Sequence, residues 1–295
     1  MSRQGGARGN GIKTLSTLAL EVVAKHPPAD GGELPVLPGP VAERVIAAWV
    51  KTRKVGKEAA YGSAARDLLA SSGPGMEVLC LENGALEDPE FTAHALSSVL
   101  PPPSMGGSLC VVSISHATLP SPEVLHVLGE RPAPQVHTLK LEFCGRSLDG
   151  DALDAFLGLF PGTRILSLRG AGTALSSADV ARGVAEILPH QQLVSVNLSW
   201  MTRLEDGAVE ALIGAHGESM RHVDLSASSR LTDVSLAAMA EGAQDLDSFV
   251  LTGLPRLSLA GLRILQAAFP HIDHPLGHPA GRRITHWTNS GHHNA

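Results

Sequence analysis

The feature that most limits how this chain can fold is a repeat: a six-residue run, largely apolar at its first, fourth and sixth places, occurs seven times. The runs begin at Met76, Leu109, Val136, Thr163, Leu193, Met220 and Leu246, and most spacings are 26 or 27 residues. In the clearest copy, Met220, Val223 and Leu225 lead into a turn through Leu231, Thr232 and Asp233. Leu236, Met239, Ala240 and Ala243 then follow at helical spacing, and Leu246, Phe249, Leu251, Leu257, Leu262 and Leu265 replay the pattern. A unit this small cannot bury its own apolar edge, so the units have to stack. One helix between successive strands forces a parallel sheet with the helices on its outside. The helical halves are expected at 152–160, 177–188, 207–216, 234–243 and 260–269. Two repeats are longer, the first through PPPSMGG at 101–107 and the one from Thr163 by three residues. Strand pairing holds rungs about 4.8 Å apart, so the extra residues belong in loops.

The phrase RLTDVSLAAMAEGAQDL resembles the leucine-rich repeat of the cysteine-containing and ribonuclease-inhibitor-like types. That resemblance covers roughly residues 76–270 and implies an α/β solenoid, a horseshoe with the parallel sheet on its concave side and helices on its convex side. The ninth place of each rung, an asparagine ladder in the common repeat, here holds Gly84, Ala117, Cys144, Ala171, Met201, Ser228 and Leu254. Small residues and a cysteine suit the two subclasses named, which makes Cys144 a core residue.

Four regions follow from composition: a flexible tail at 1–11, a helical N-terminal module at 12–70, about seven repeats at 71–270, and a C-terminal cap with a His-rich tail at 271–295. In the N-terminal module Leu15, Leu18, Val22 and Val23 share one helical face, and Val41, Val45, Ile46 and Trp49 form another after Pro40. ELPVLPGPVAERVIAAWV resembles the opening of an F-box, and TLSTLALEVV resembles an elongin-binding BC box, with Ala19 where that motif carries cysteine. The resemblance implies docking on a cullin adaptor through Leu15, Leu18, Leu37, Pro38, Val45 and Trp49. The alternative is a hairpin that only caps the repeat core, which a solenoid requires. KTRKVGK at 51–57 reads as a solvated helix end.

A hydrophobic fraction of 43% excludes wholesale disorder, and an aromatic fraction of 3% calls for a core of Leu, Val and Ala. The formal net charge of −6 supplies no general attraction to nucleic acid or an anionic membrane. Cys80, Cys110 and Cys144 are too scattered for a zinc knuckle and odd in number, as free thiols in a reducing compartment would be. No apolar run reaches the roughly 20 residues of a membrane helix. A cytoplasmic protein is expected. The alternatives are a mitochondrial or ciliary one, since residues 1–20 carry Arg3, Arg8 and Lys13 without an acid, although glycines 5, 6, 9 and 11 would spoil an amphipathic presequence.

With the first, fourth and sixth places buried, the second, third, fifth, seventh and eighth face the concave side. The middle rungs then present Lys140, Glu142, Phe143, Arg164, Ser167, Arg169, Asn197, Ser199, Trp200, Arg221, His222 and Asp224. Trp200 among Arg and Asp residues has the composition of a protein-binding hot spot; it can equally cover the neighbouring rung. Ser199, His222 and Asp224 could be written as a triad, but nothing supplies an oxyanion hole and the sheet is open to water. No phosphate loop, GxSxG elbow or HExxH is present, so neither catalysis nor a cofactor is expected. His271, His274, His278, His286, His292 and His293 could bind zinc or nickel. Interspersed Pro and Gly favour instead a cap and extended arm, with Ile284 and Trp287 over the last rung. The expectation is an interaction protein within a hetero-complex: the substrate receptor of a cullin-type ubiquitin ligase, or a structural subunit of a large assembly.

Overall fold

The computed structural model describes residues 75–81, 89–100, 107–130, 132–171, 174–272 and, for the backbone, 286–288. Strands and helices alternate through these residues. They are β1 (Val78–Leu81), α1 (Pro89–Val99), β2 (Val111–Ser115), α2 (Pro122–Gly129), β3 (Thr138–Glu142), α3 (Gly150–Leu159) and β4 (Ile165–Ser167). The alternation continues with α4 (Ser177–Arg182), β5 (Ser195–Asn197), α5 (Asp206–His216), β6 (His222–Asp224), α6 (Asp233–Gly242), β7 (Ser248–Val250), α7 (Leu259–Ala268) and β8 (His286–Thr288). The expected repeat helices agree with α3 to α7 within two residues at each end, allowing for a π turn that extends α4.

Seven strands form one parallel sheet in sequence order, as the repeat requires. The register never slips, for Val78, Val111, Thr138, Ile165, Ser195, His222 and Ser248, all third places, lie side by side. β8 adds an eighth strand antiparallel to β7, with Trp287 opposite Phe249 in the backbone ladder. The last parallel edge is thereby paired instead of exposed. Ile284, the tail at 1–11 and the whole of the N-terminal module, including Leu15, Leu18, Leu37, Pro38, Val45 and Trp49, lie outside the described residues.

The core follows the rung pattern position by position. At the first, fourth and sixth places of all seven rungs no residue is more than 4% exposed. Helices close that layer with their own apolar faces, for example Leu153, Phe156 and Leu157 on α3 and Val209, Leu212 and Ile213 on α5. Each fully buried aliphatic side chain contributes about 1.5–3 kcal/mol, so the array is held by many similar increments. At the ninth place Cys144 and Ser228 substitute for the absent asparagines. The Cys144 thiol faces the Ile114 carbonyl at 3.6 Å, and the Ser228 hydroxyl donates to the Leu198 carbonyl at 2.8 Å, in each case the sixth residue of the preceding rung. Burial pushes the Cys144 thiol up to about 12, so it stays protonated as a core group.

Polar side chains stitch the helix starts together. Ser176 and Asp179 form a capping box at the start of α4. Asp206, first residue of α5, accepts from the backbone N–H and hydroxyl of Thr232 and from the Ser235 hydroxyl, which fixes the start of α6. Asp233 does the same for Ser258 at the start of α7. One helix is irregular, because α4 runs into a π turn at Gly183–Ile187. There the Val184 carbonyl accepts the Nε2–H of His216 at 2.7 Å, while His216 Nδ1 accepts the Gln192 N–H at 3.3 Å. A foreign side chain bonding into the ladder is a recognised accompaniment of such turns. These two partners define a neutral ring, and burial correspondingly holds His216 below its ordinary pKa.

Candidate protein-binding surface

The inner face is built by short strands: β4 to β7 are three residues each, so the second, seventh and eighth places flank the ladder instead of lying in it. The eighth place has a backbone signature. His116, Phe143, Gly170, Trp200, Ala227 and Gly253 all have φ between 52° and 69°, the left-handed region. The cause is the inter-rung hydrogen bonding at the strand ends. Phe143 N–H donates to the Arg169 carbonyl, Gly170 to Ser199, Trp200 to Ser226 and Ala227 to Thr252, each reaching the seventh place of the next rung. Glycine adopts this conformation without cost, whereas His116, Phe143 and Trp200 hold large side chains there.

These side chains make a row along the strand ends. His116 stacks on Phe143 with centroids 4.8 Å apart, and the Arg169 guanidinium lies 5.4 Å from the same ring. Phe143 leans over Gly170, whose absent Cβ would sit 2.3 Å from the ring. Trp200, one rung further, is 55% exposed. Beside the stack, His116, Thr118, Phe143, Gly145, Arg146 and Ser147 line a shallow depression of about 470 Å³.

The other expected residues divide by what they touch. Lys140 is half-buried and Arg164 exposed, and neither has a carboxylate partner among the described residues. Glu142 accepts the Ser167 hydroxyl at 2.6 Å. Asn197 accepts the N–H and hydroxyl of Ser199, and Asp224 accepts those of Ser226. Arg221 pairs with Asp245 at 3.1 Å and also donates to its carbonyl. His222 Nδ1 lies 2.8 Å from the Ser248 hydroxyl.

One expectation is corrected. Ser167 and Ser199 were placed on the open face, but they are 4% and 2% exposed, because short hydroxyls fold back to acceptors on their own surface. The triad of Ser199, His222 and Asp224 does not form: the serine hydroxyl is committed to Asn197, the aspartate to Ser226 and the imidazole to Ser248. His116 was missed as a surface residue. The signal that could have found it was glycine at 170 and 253, which marks the eighth place as left-handed and its side chains as strand-end groups. His271 donates to the Leu246 carbonyl at 2.9 Å and meets the edge of Phe269, acting within the cap. No group of three or more potential metal ligands occurs among the described residues.

Comparison with known proteins places the fold. No family model matches the sequence, and no curated protein matches it. A chain of the yeast Rad7 and Elc1 complex superposes with a TM-score of 0.55 at 14% identity, over 79% of this chain and 58% of that one. The match thus spans little more than half of the yeast chain. The leucine-rich repeat-containing protein LegL7 from Legionella pneumophila gives a TM-score of 0.46 at 12% identity, over 79% of this chain and 88% of its own. With its parallel rungs, fixed register and outer helices, the chain has the fold of a leucine-rich repeat solenoid.

Proposed function

We propose that this protein is a non-enzymatic interaction module that holds a partner protein on its concave face, with Trp200 as the anchor. The supporting observation is that Trp200 is 55% exposed at a strained strand-end position where glycine serves two other rungs. A large aromatic retained there and left in water matches the composition of binding hot spots. Arg169 stands near that strand end on the preceding rung, Asn197 and Asp224 lie in the ladder leading to it, and Arg221 lies at the opposite end of β6.

Trp200→Ala should weaken capture of the partner by about 2 kcal/mol or more with little change in melting temperature. Glu210→Ala on the convex helix α5 should leave capture unchanged. Loss of folding in Trp200→Ala, with undiminished binding by the folded fraction, would show that the tryptophan is structural.

Within this class the narrower reading is a cytoplasmic substrate receptor of a cullin-type ubiquitin ligase, docking its adaptor through the F-box-like and BC-box-like segments. Those sequences support it, as does a fold shared with a chain solved in a two-protein complex. The competing reading is a rigid subunit of a ciliary, mitochondrial or ribonucleoprotein assembly, favoured by the basic N-terminal and His/Arg-rich C-terminal arms. Affinity purification from its own cells separates them: a cullin with its adaptor supports the first, a stoichiometric organelle complex the second.

A further inference from the structure

Charge is distributed unevenly along the inner face. The fifth places of rungs three to six read Lys140, Ser167, Asn197 and Asp224, a progression from cation to anion across adjacent strands. Toward the end of the array Arg221 is neutralised by Asp245, and Asp247 adds a further carboxylate. At rungs three and four the balance is opposite. Lys140, Arg146, Arg164 and Arg169 have no carboxylate partner among the described residues, and Glu142, the acid among them, accepts the Ser167 hydroxyl and keeps its charge, so the local excess is positive.

One of these cations is preoriented. The Arg169 guanidinium rests 5.4 Å from the centroid of the Phe143 ring, which His116 stacks from the preceding rung. Stacking of this kind restrains the side chain while leaving guanidinium N–H donors for a carboxylate. Arg146 lines the shallow depression with His116 and Phe143. An apolar surface is thus bordered by fixed positive charge.

We propose that this patch docks an acidic, extended segment of the partner protein. Its carboxylates would face Lys140, Arg146, Arg164 and Arg169, and an apolar residue between them would rest against Phe143 and His116. The inference rests on the interaction-module reading and names the chemistry of the partner. A polyanionic nucleic acid fits less well. Across the strands the basic patch is only two adjacent rungs wide, about 5 Å between strand axes, and a backbone crossing further rungs would run toward Asp224, Asp245 and Asp247 in a chain of net charge −6.

The test uses the full-length protein and fluorescence anisotropy at low salt. The probe is a fluorescein-labelled peptide of glutamates flanking one phenylalanine; comparators are the same peptide with glutamine for glutamate and a labelled single-stranded oligonucleotide. The glutamate peptide should bind, should weaken as salt is added, and should outcompete both comparators. The double variant Lys140→Glu with Arg169→Glu should weaken binding by at least about tenfold, Phe143→Ala should also weaken it, and Arg263→Glu on convex α7 should not. Melting curves check that each variant is folded. Equal binding of the glutamine peptide, insensitivity to the double reversal, or preference for the oligonucleotide each overturns the proposal. If the reversal leaves capture of the cellular partner intact while Trp200→Ala abolishes it, the acidic-segment inference fails and the interaction reading stands. If neither variant affects capture, both fall.

Discussion

Lys140 in rung three and Asp224 in rung six occupy the same place on the same backbone, in one unbroken register. Asp224 is bound by the N–H and hydroxyl of Ser226, its neighbour Arg221 by Asp245, and His222 by Ser248. Lys140, Arg164 and Arg169 have no such carboxylate partners among the described residues. The later rungs therefore use Asp224, Arg221 and His222 to order their own surface, while the earlier ones leave Lys140, Arg164 and Arg169 available to another molecule. Recognition in a solenoid is set by which side chains the array leaves unsatisfied, since the backbone beneath is common to all rungs.

The comparison is broken most severely from inside. Leu141→Ala in rung three and Leu225→Ala in rung six both remove a fully buried sixth-place side chain, and each should lower stability by about 2–5 kcal/mol in urea unfolding. Similar losses mean that the two halves differ only at their surfaces; a much greater loss at one rung would show that one half carries the fold. Asp206→Ala strips the shared acceptor from Thr232 and Ser235 and should cost about 1–3 kcal/mol. Burial alone would raise the Asp206 carboxyl, but the Ser235 and Thr232 donors outweigh it and hold it below the ordinary range. Its contribution should then be present above the ordinary carboxylate pKa of about 4 and fade as pH falls below it.

A smaller effect is expected in the earlier half. Gly170→Ala puts a Cβ against the Phe143 ring at a positive φ, and should cost about 1–2 kcal/mol. Because the ring must move, the same variant should also disturb Arg169, seen as weaker binding of an acidic peptide at a temperature where the protein is folded. Unchanged peptide binding would uncouple the stack from recognition. The smallest effect concerns His216, between the halves. Its folded pKa is depressed, so the unfolded chain binds the proton more readily, and stability should be full above pH 6.5 and decline as pH falls through that value. His216→Gln should flatten this part of the profile in thermal melts, and an unaltered slope would assign it to other groups.

Much of the architecture was legible because the repeat carries it redundantly. Every first, fourth and sixth place proved buried, and the expected helices agree with α3 to α7, since burial of an apolar stripe depends on local period alone. The surface was less legible. Trp200 and Phe143 were recognisable as candidates, but Ser167 and Ser199 are indistinguishable in sequence from exposed serines until Glu142 and Asn197 are seen beside them.

By itself, then, the sequence determined the stacking of strand and helix, the parallel sheet and the aliphatic core, all consequences of spacing along one chain. Only the tertiary structure decided that Arg169 lies on Phe143, that Asp206 serves the following helix, and that β8 turns back against β7. Those features join residues about one repeat or more apart. Their geometry depends on how one rung sits on the next, which no periodicity within a single rung can encode.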